Sequence, residues 1–194
     1  MYSSPTIGQF TGDGTPDVCT FILEGFWPDY TACKMIVIDG ATGLEVWHST
    51  CDFLQLAGPN ALDWDKDGYD EILFLNNSYT PGDTSFEFQS HMNLFDINDG
   101  DTISLGKRKD GFSAFSMPLL IDIDRNGLLD IIYTIKDATE GWLPPSGYRI
   151  YRVELDFSPV SVAWGGYLGP YRNGHYHATF PNPIAKWLQL KQKE

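Results

Sequence analysis

Three stretches of this chain fall into register when Gly14, Gly68 and Gly127 are superposed: GQFTGDGTPDVCTFIL, ALDWDKDGYDEILFL and LIDIDRNGLLDIIYTI. Gln9, Asp63 and Asp122 then coincide, as do Thr11, Asp65 and Asp124. Asp13, Asp67 and Asn126 form the next set, and Asp17, Glu71 and Asp130 the last. Each copy has a proline-containing lead-in (SSPTI, AGPNAL, SMPLLI) and runs straight into an apolar segment, residues 18–23, 72–75 and 131–135. A supersecondary unit that recurs in this way cannot bury its apolar face alone and must stack on its neighbours.

A second signal repeats in phase. After each acidic loop and its strand comes a hairpin-like stretch: KMIVIDGATGLEVWH, MNLFDINDGDTISLG and YRIYRVELDFSPVSVAW. The alternating apolar runs on either side of Gly-containing turns mark them as paired strands. The unit is therefore a short strand, an acidic loop, a strong strand, a connector and a hairpin, with about four strands per unit. This predicts an all-β chain of three such units, at about residues 5–57, 58–115 and 116–164, followed by an aromatic and glycine-rich segment at 165–194. The connectors at 24–32, 76–90 and 136–147 are rich in Gly, Pro, Ser and Asp and read as surface loops. Only NPIAKWLQLKQKE, at the end, carries helix formers behind a proline, and it predicts a short helix or a tail.

The loop pattern places oxygens at alternating positions around a glycine that permits a sharp turn. Hard oxygen donors on a flexible loop suit Ca²⁺. In the second copy the donors are Asp63, Asp65, Asp67, Glu71 and the Tyr69 carbonyl; in the third they are Asp122, Asp124, Asn126, Asp130 and the Leu128 carbonyl. A bound cation would relieve the repulsion among packed carboxylates and tie the loop to the start of a buried strand. The plain alternative is an acidic, solvated turn that holds no ion. The first copy is weaker, because Gln9 and Thr11 replace two carboxylates and leave Asp13, the Thr15 carbonyl and Asp17. Two sites and a degenerate third are expected. An EF-hand shares the opening of the pattern, but it needs Glu at position twelve and helical flanks. Position twelve is Thr20, Phe74 or Tyr133, and the flanks are strand-like.

At these residues the chain resembles the FG-GAP/VCBS repeats of integrin α-subunit-type β-propellers. GQFTGDGTPDV, LDWDKDGYDEI and IDIDRNGLLDI look like that family's loop, G-D-x-[DN]-G-D-G-x-x-D-[IL], and VIDGATGLEVW is similar to a hairpin of related propeller blades. The resemblance covers residues 5–164. It implies four-stranded propeller blades with Ca²⁺ in loops at their edges. It also implies an extracellular, cell-surface or periplasmic setting and a non-catalytic role in adhesion or in binding a protein or glycan. The departures are Gln9, Thr11 and Asn126. Propellers close with at least about four blades. Three units therefore imply a partial ring, an assembly with other chains, or completion by strands from the C-terminal region.

The net charge of −13 argues against nucleic acid and anionic membrane surfaces as partners. No apolar run approaches the ~20 residues of a membrane-spanning helix. Met1-Tyr2-Ser3-Ser4 shows no export signal, so either the chain is not exported or a leader has been removed. The hairpin between Cys33 and Cys51 brings these two opposite or nearly opposite each other, which predicts either a disulfide or two buried thiols; Cys19 reads as a core residue. In AWGGYLGPYRNGHYHATFPNP, the aromatics Trp164, Tyr167, Tyr171 and Tyr176 can stack on sugar rings, with Arg172 and His175 adding hydrogen bonds. The same stretch can instead cap an open sheet, or supply acid–base groups to a carbohydrate-active enzyme such as a polysaccharide lyase. Neither a GxSxG nucleophile motif nor a phosphate-binding loop is present.

Overall fold

The computed structural model describes residues 3–26, 29–52, 55–81, 86–113, 117–137, 147–156, 161–167, 169 and 174. Its strands are β1 (Thr6–Gly8), β2 (Asp17–Phe26), β3 (Asp29–Ile38), β4 (Glu45–Thr50), β5 (Asn60–Asp63) and β6 (Glu71–Pro81). They continue with β7 (Phe86–Phe95), β8 (Thr102–Asp110), β9 (Leu119–Ile121), β10 (Asp130–Lys136), β11 (Tyr148–Glu154) and β12 (Ser161–Trp164). The described residues are all-β, as the recurring strand pattern predicts. They form three open antiparallel sheets: β1-β2-β3-β4, β12-β5-β6-β7-β8 and β11-β10-β9. The C-terminal stretch read as a helix or tail lies outside the described residues.

The three sheets are layered, and residue alternation along each strong strand explains why. In β6, Leu73 and Leu75 point to one side and join Leu62, Met92 and Leu94 against Leu120, Ile131, Tyr133 and Ile135 of the third sheet. Ile72 and Phe74 point to the other side and join Ala61 against Phe10, Cys19, Phe21, Met35 and Val37 of the first. The middle sheet is thus buried on both faces, which accounts for its near-continuous apolar strand. Successive side chains of a strand alternate between faces, so one repeat unit contributes to two cores.

Two expectations are corrected. The stretch YRIYRVELDFSPVSVAW is not one hairpin: β11 pairs with β10, whereas β12 runs antiparallel to β5 in the middle sheet, with Val162 opposite Leu62. Regular four-stranded units therefore give way to sheets of four, five and three strands. The reason is burial. β12 carries Val162, Ala163 and Trp164, each 6% exposed or less, whereas β11 is largely exposed. β12 is an edge of its sheet, yet its apolar side chains are covered and it lies against β1, whereas the polar β11 tolerates an exposed edge. Asn60, fully buried, knits the junction: its Nδ2 donates to the carbonyls of Pro118 (3.0 Å) and Trp164 (3.1 Å). Leu120 N donates to Gly165 O at 2.7 Å, and β1 lies against both β5 and β12.

The connectors at 24–32 and 76–90 are the second correction, because they are largely strand. β2 pairs with β3 out to Phe26–Asp29, and β6 pairs with β7 out to Pro81–Phe86. In 76–90 the polarity misleads because polar side chains satisfy one another inside the protein, whereas 24–26 are an exposed strand end. Asn77 is fully buried and its Nδ2 donates to Ser113 O (2.9 Å). Its Oδ1 accepts from Ser90 Oγ (2.7 Å) and Ser113 N (3.0 Å). A buried amide with its donors and acceptors filled in this way is compatible with a core position.

Candidate cation-binding loops

The three acidic loops share one backbone course. Gly12, Lys66 and Arg125 are equivalent and have φ of 70°, 75° and 61°; Gly14, Gly68 and Gly127 follow with φ of 85°, 93° and 93°. Lys66 and Arg125 adopt the left-handed region that non-glycine residues rarely occupy. The fifth-position side chain closes the turn each time. Asp13 Oδ1 accepts from Thr15 N (2.6 Å), Asp67 Oδ1 from Tyr69 N (2.8 Å) and Asn126 Oδ1 from Leu128 N (2.8 Å). The short polar side chain imitates a backbone turn, which is why Asp and Asn are interchangeable there.

The ninth-position carboxylate sets the loops apart. It begins the strong strand and is buried in every copy: Asp17, Glu71 and Asp130 are each 3% exposed or less. Each commits one oxygen to an N–H of its own loop. Asp17 Oδ2 accepts from Phe10 N (2.9 Å), Thr11 N (2.8 Å) and Thr11 Oγ1 (3.0 Å). Glu71 Oε2 accepts from Trp64 N, and Asp130 Oδ2 from Ile123 N at 2.9 Å. The other oxygen meets a different fate in each loop.

In the first loop, Asp17 Oδ1 accepts from Gly40 N at 3.0 Å. Donors therefore surround both oxygens, and Thr11, which stands where the other copies have Asp, is one of them. In the second loop, Glu71 Oε1 is buried without a hydrogen-bond partner. Asp63, Asp65 and Glu71 each offer an oxygen within 4.8 Å of the others. Burial, reinforced by the charges of Asp65, Asp96 and Asp63, pushes the Glu71 carboxyl up to about 8. Asp63 is raised as well, by burial first and then by Asp67 and Asp65. In the third loop, Asp122, Asp124 and Asp130 form the equivalent cluster. There Asp130 Oδ1 accepts from Arg152 Nε at 2.7 Å, and Arg152 Nη2 reaches Asp124 Oδ2 at 2.5 Å and Glu154 Oε2 at 2.9 Å. Its hydrogen bond and charge hold Asp124 below the usual carboxylate range.

The first and second loops are joined directly. Gln9 N donates to Asp70 Oδ2 (2.8 Å) and Asp70 N donates back to Gln9 O (2.9 Å). Burial pushes the Asp70 carboxyl up to about 6. The Tyr69 ring lies over Gly12, where a Cβ would fall 2.1 Å from Tyr69 Cε1.

The other residues singled out from the sequence separate. Trp164 is buried in the core between the first two sheets, so its ring is withdrawn from any sugar, whereas Tyr167 is exposed. Tyr171, Arg172, His175 and Tyr176 lie outside the described residues. The hairpin register places Cys33 opposite Cys51, with Cys51 N donating to Cys33 O at 2.9 Å. Both are free thiols, hydrogen-bonded through their side chains; that bond lowers Cys33 and raises Cys51 relative to the usual thiol value. Sequence reasoning missed Arg152. No signal in the sequence marks it, because only strand register sets it where the earlier sheets carry Val37 and Leu94.

Among the described residues these features define an all-β arrangement of three layered antiparallel sheets with two carboxylate clusters able to hold a metal ion. The chain matches no family model, no curated protein and no solved structure.

Proposed function

We propose that the chain is a Ca²⁺-braced β-repeat module, built on the FG-GAP/VCBS pattern, that binds a protein or glycan outside the cytosol and performs no catalysis. The observation that carries the cation reading is the orphaned Glu71 Oε1. It is a buried carboxylate oxygen without a donor, beside the oxygens of Asp63 and Asp65. Leaving such an acceptor unsatisfied costs about 1–3 kcal/mol. A divalent ion shared by the three side chains would remove that cost and their mutual repulsion. Oxygen-only donors on a flexible loop favour Ca²⁺ over Mg²⁺, which demands near-ideal octahedral geometry. Sites of roughly 10⁻⁴–10⁻³ M affinity fill at extracellular calcium levels, in keeping with a role there.

The test is a thermal melt of the full chain in chelator and in millimolar Ca²⁺. Calcium should raise the midpoint, by about 0.4–1.4 kcal/mol in stability at a one- to ten-fold ratio to Kd, because it binds only the folded state. Asp65→Ala should abolish that shift. Identical melts in the two buffers overturn the cation reading. The binding role is examined separately, on a glycan array and in a polysaccharide-degradation assay with Tyr167→Ala and His175→Ala; turnover lost in either variant would replace it with an enzymatic one.

A further inference from the structure

We infer that Arg152 supplies the third loop with a cation from the chain itself, so that this loop excludes a divalent ion while its carboxylates remain paired. The inference rests on reading the loops as cation sites, and it separates two loops that the sequence makes equivalent.

Strand register identifies the substitution. Cys19, Leu73 and Ile132 are equivalent in the superposed repeats. Their cross-strand partners are Val37, Leu94 and Arg152. Val37 and Leu94 are buried, each within a core between two sheets. The same position in the third sheet carries a long cation. Ile131, Tyr133 and Ile135 face the middle sheet, so by alternation Asp130 and Ile132 face away from it, and Arg152 lies across from them. From there its guanidinium spans Asp130 Oδ1 and Asp124 Oδ2, two of the three residues whose oxygens make up the third cluster.

A divalent ion would draw on the same carboxylates. The guanidinium presents fixed, directed donors and stays charged at any ordinary pH, so the pairing does not lapse by deprotonation. A second cation would have to break both contacts and sit beside a positive group. The second loop differs in the atom that matters: Glu71 Oε1, the counterpart of the Asp130 oxygen held by Arg152, has no partner.

The experiment counts Ca²⁺ bound per chain by titration calorimetry of chelator-treated full-length protein. Four proteins are compared: wild type, Asp65→Ala, Arg152→Met, and the double variant. Methionine keeps an unbranched apolar stem and removes the donors. The expected counts are one, none, two and one. Arg152→Met gaining no ion, while its circular dichroism matches wild type, overturns the inference. Should that variant fail to fold, Asp124→Ala in the otherwise native chain decides: an unchanged count supports the inference, and the loss of an ion overturns it. The two readings fail separately. An Asp65→Ala count equal to wild type refutes the second loop as a site, whereas the gain on removing Arg152 is read independently, in the Asp65→Ala background.

Discussion

Asp17, Glu71 and Asp130 begin equivalent strands, and each ties its own loop by a backbone N–H. Their second oxygens show how one local motif is tuned by a residue far away in sequence: Gly40 N–H, no partner, and Arg152. Above about pH 8, where the buried Glu71 carboxylate is charged and lacks a donor, replacing it by Gln should stabilise the chelated protein by about 1–3 kcal/mol. It should also abolish the calcium-induced shift; both effects are read from urea midpoints. Without calcium the Glu71 carboxyl stands at about 8, above its ordinary 4.5. The unfolded chain then loses this proton first. Its contribution to stability is complete below the unfolded value and is lost as pH rises through the folded one. Chelated protein should therefore weaken between roughly pH 4.5 and 8, and Glu71→Gln should flatten that slope. The carboxylate clusters were legible in the sequence because spacing within a loop fixes them. Arg152 was not, because it reaches Asp130 only through the β10–β11 register, and an arginine in an exposed strand that also carries Arg149 is unremarkable by composition.

At the scale of elements, most strands were legible and one partnership was not. A hairpin announces itself locally, through turn residues and alternation, and β3–β4 and β7–β8 pair as those signals predict. β12 breaks the pattern because its partner, β5, lies about a hundred residues earlier. Its apolar content says that it is buried, not where. The buried polar cluster around Asn77 misled for a related reason: a side chain that is satisfied internally has the same composition as one that faces water. The joint between the first loop and the β3–β4 hairpin offers a sharp test. A Cβ on Gly40 would fall 1.8 Å from Pro16 O, which is backbone and cannot step aside. Gly40→Ala should cost about 1–3 kcal/mol, the range for overpacking, and loosen the Asp17 contact, as measured by denaturant midpoint.

For the whole molecule, the layering sets an order of stability. The middle sheet has neighbours on both faces, whereas β4 and β11 are exposed edges. Hydrogen exchange of the full chain should find the slowest amides in β6 and β7 and the fastest strand amides in β4 and β11. Comparable rates in all four would contradict the layered core. The repeat predicted stacking units, and units do stack. What the sequence could not specify was the number of strands per layer, because β12 moves from the third unit to the second. The seam between the first two loops has its own consequence. Tyr69, half-buried, lies against Gly12 beside the reciprocal Gln9–Asp70 bonds, so its phenol ring sits in an asymmetric setting at the border of two layers. The protein thus carries a native optical gauge, whose near-ultraviolet dichroism should register any adjustment of the neighbouring loop without an added dye.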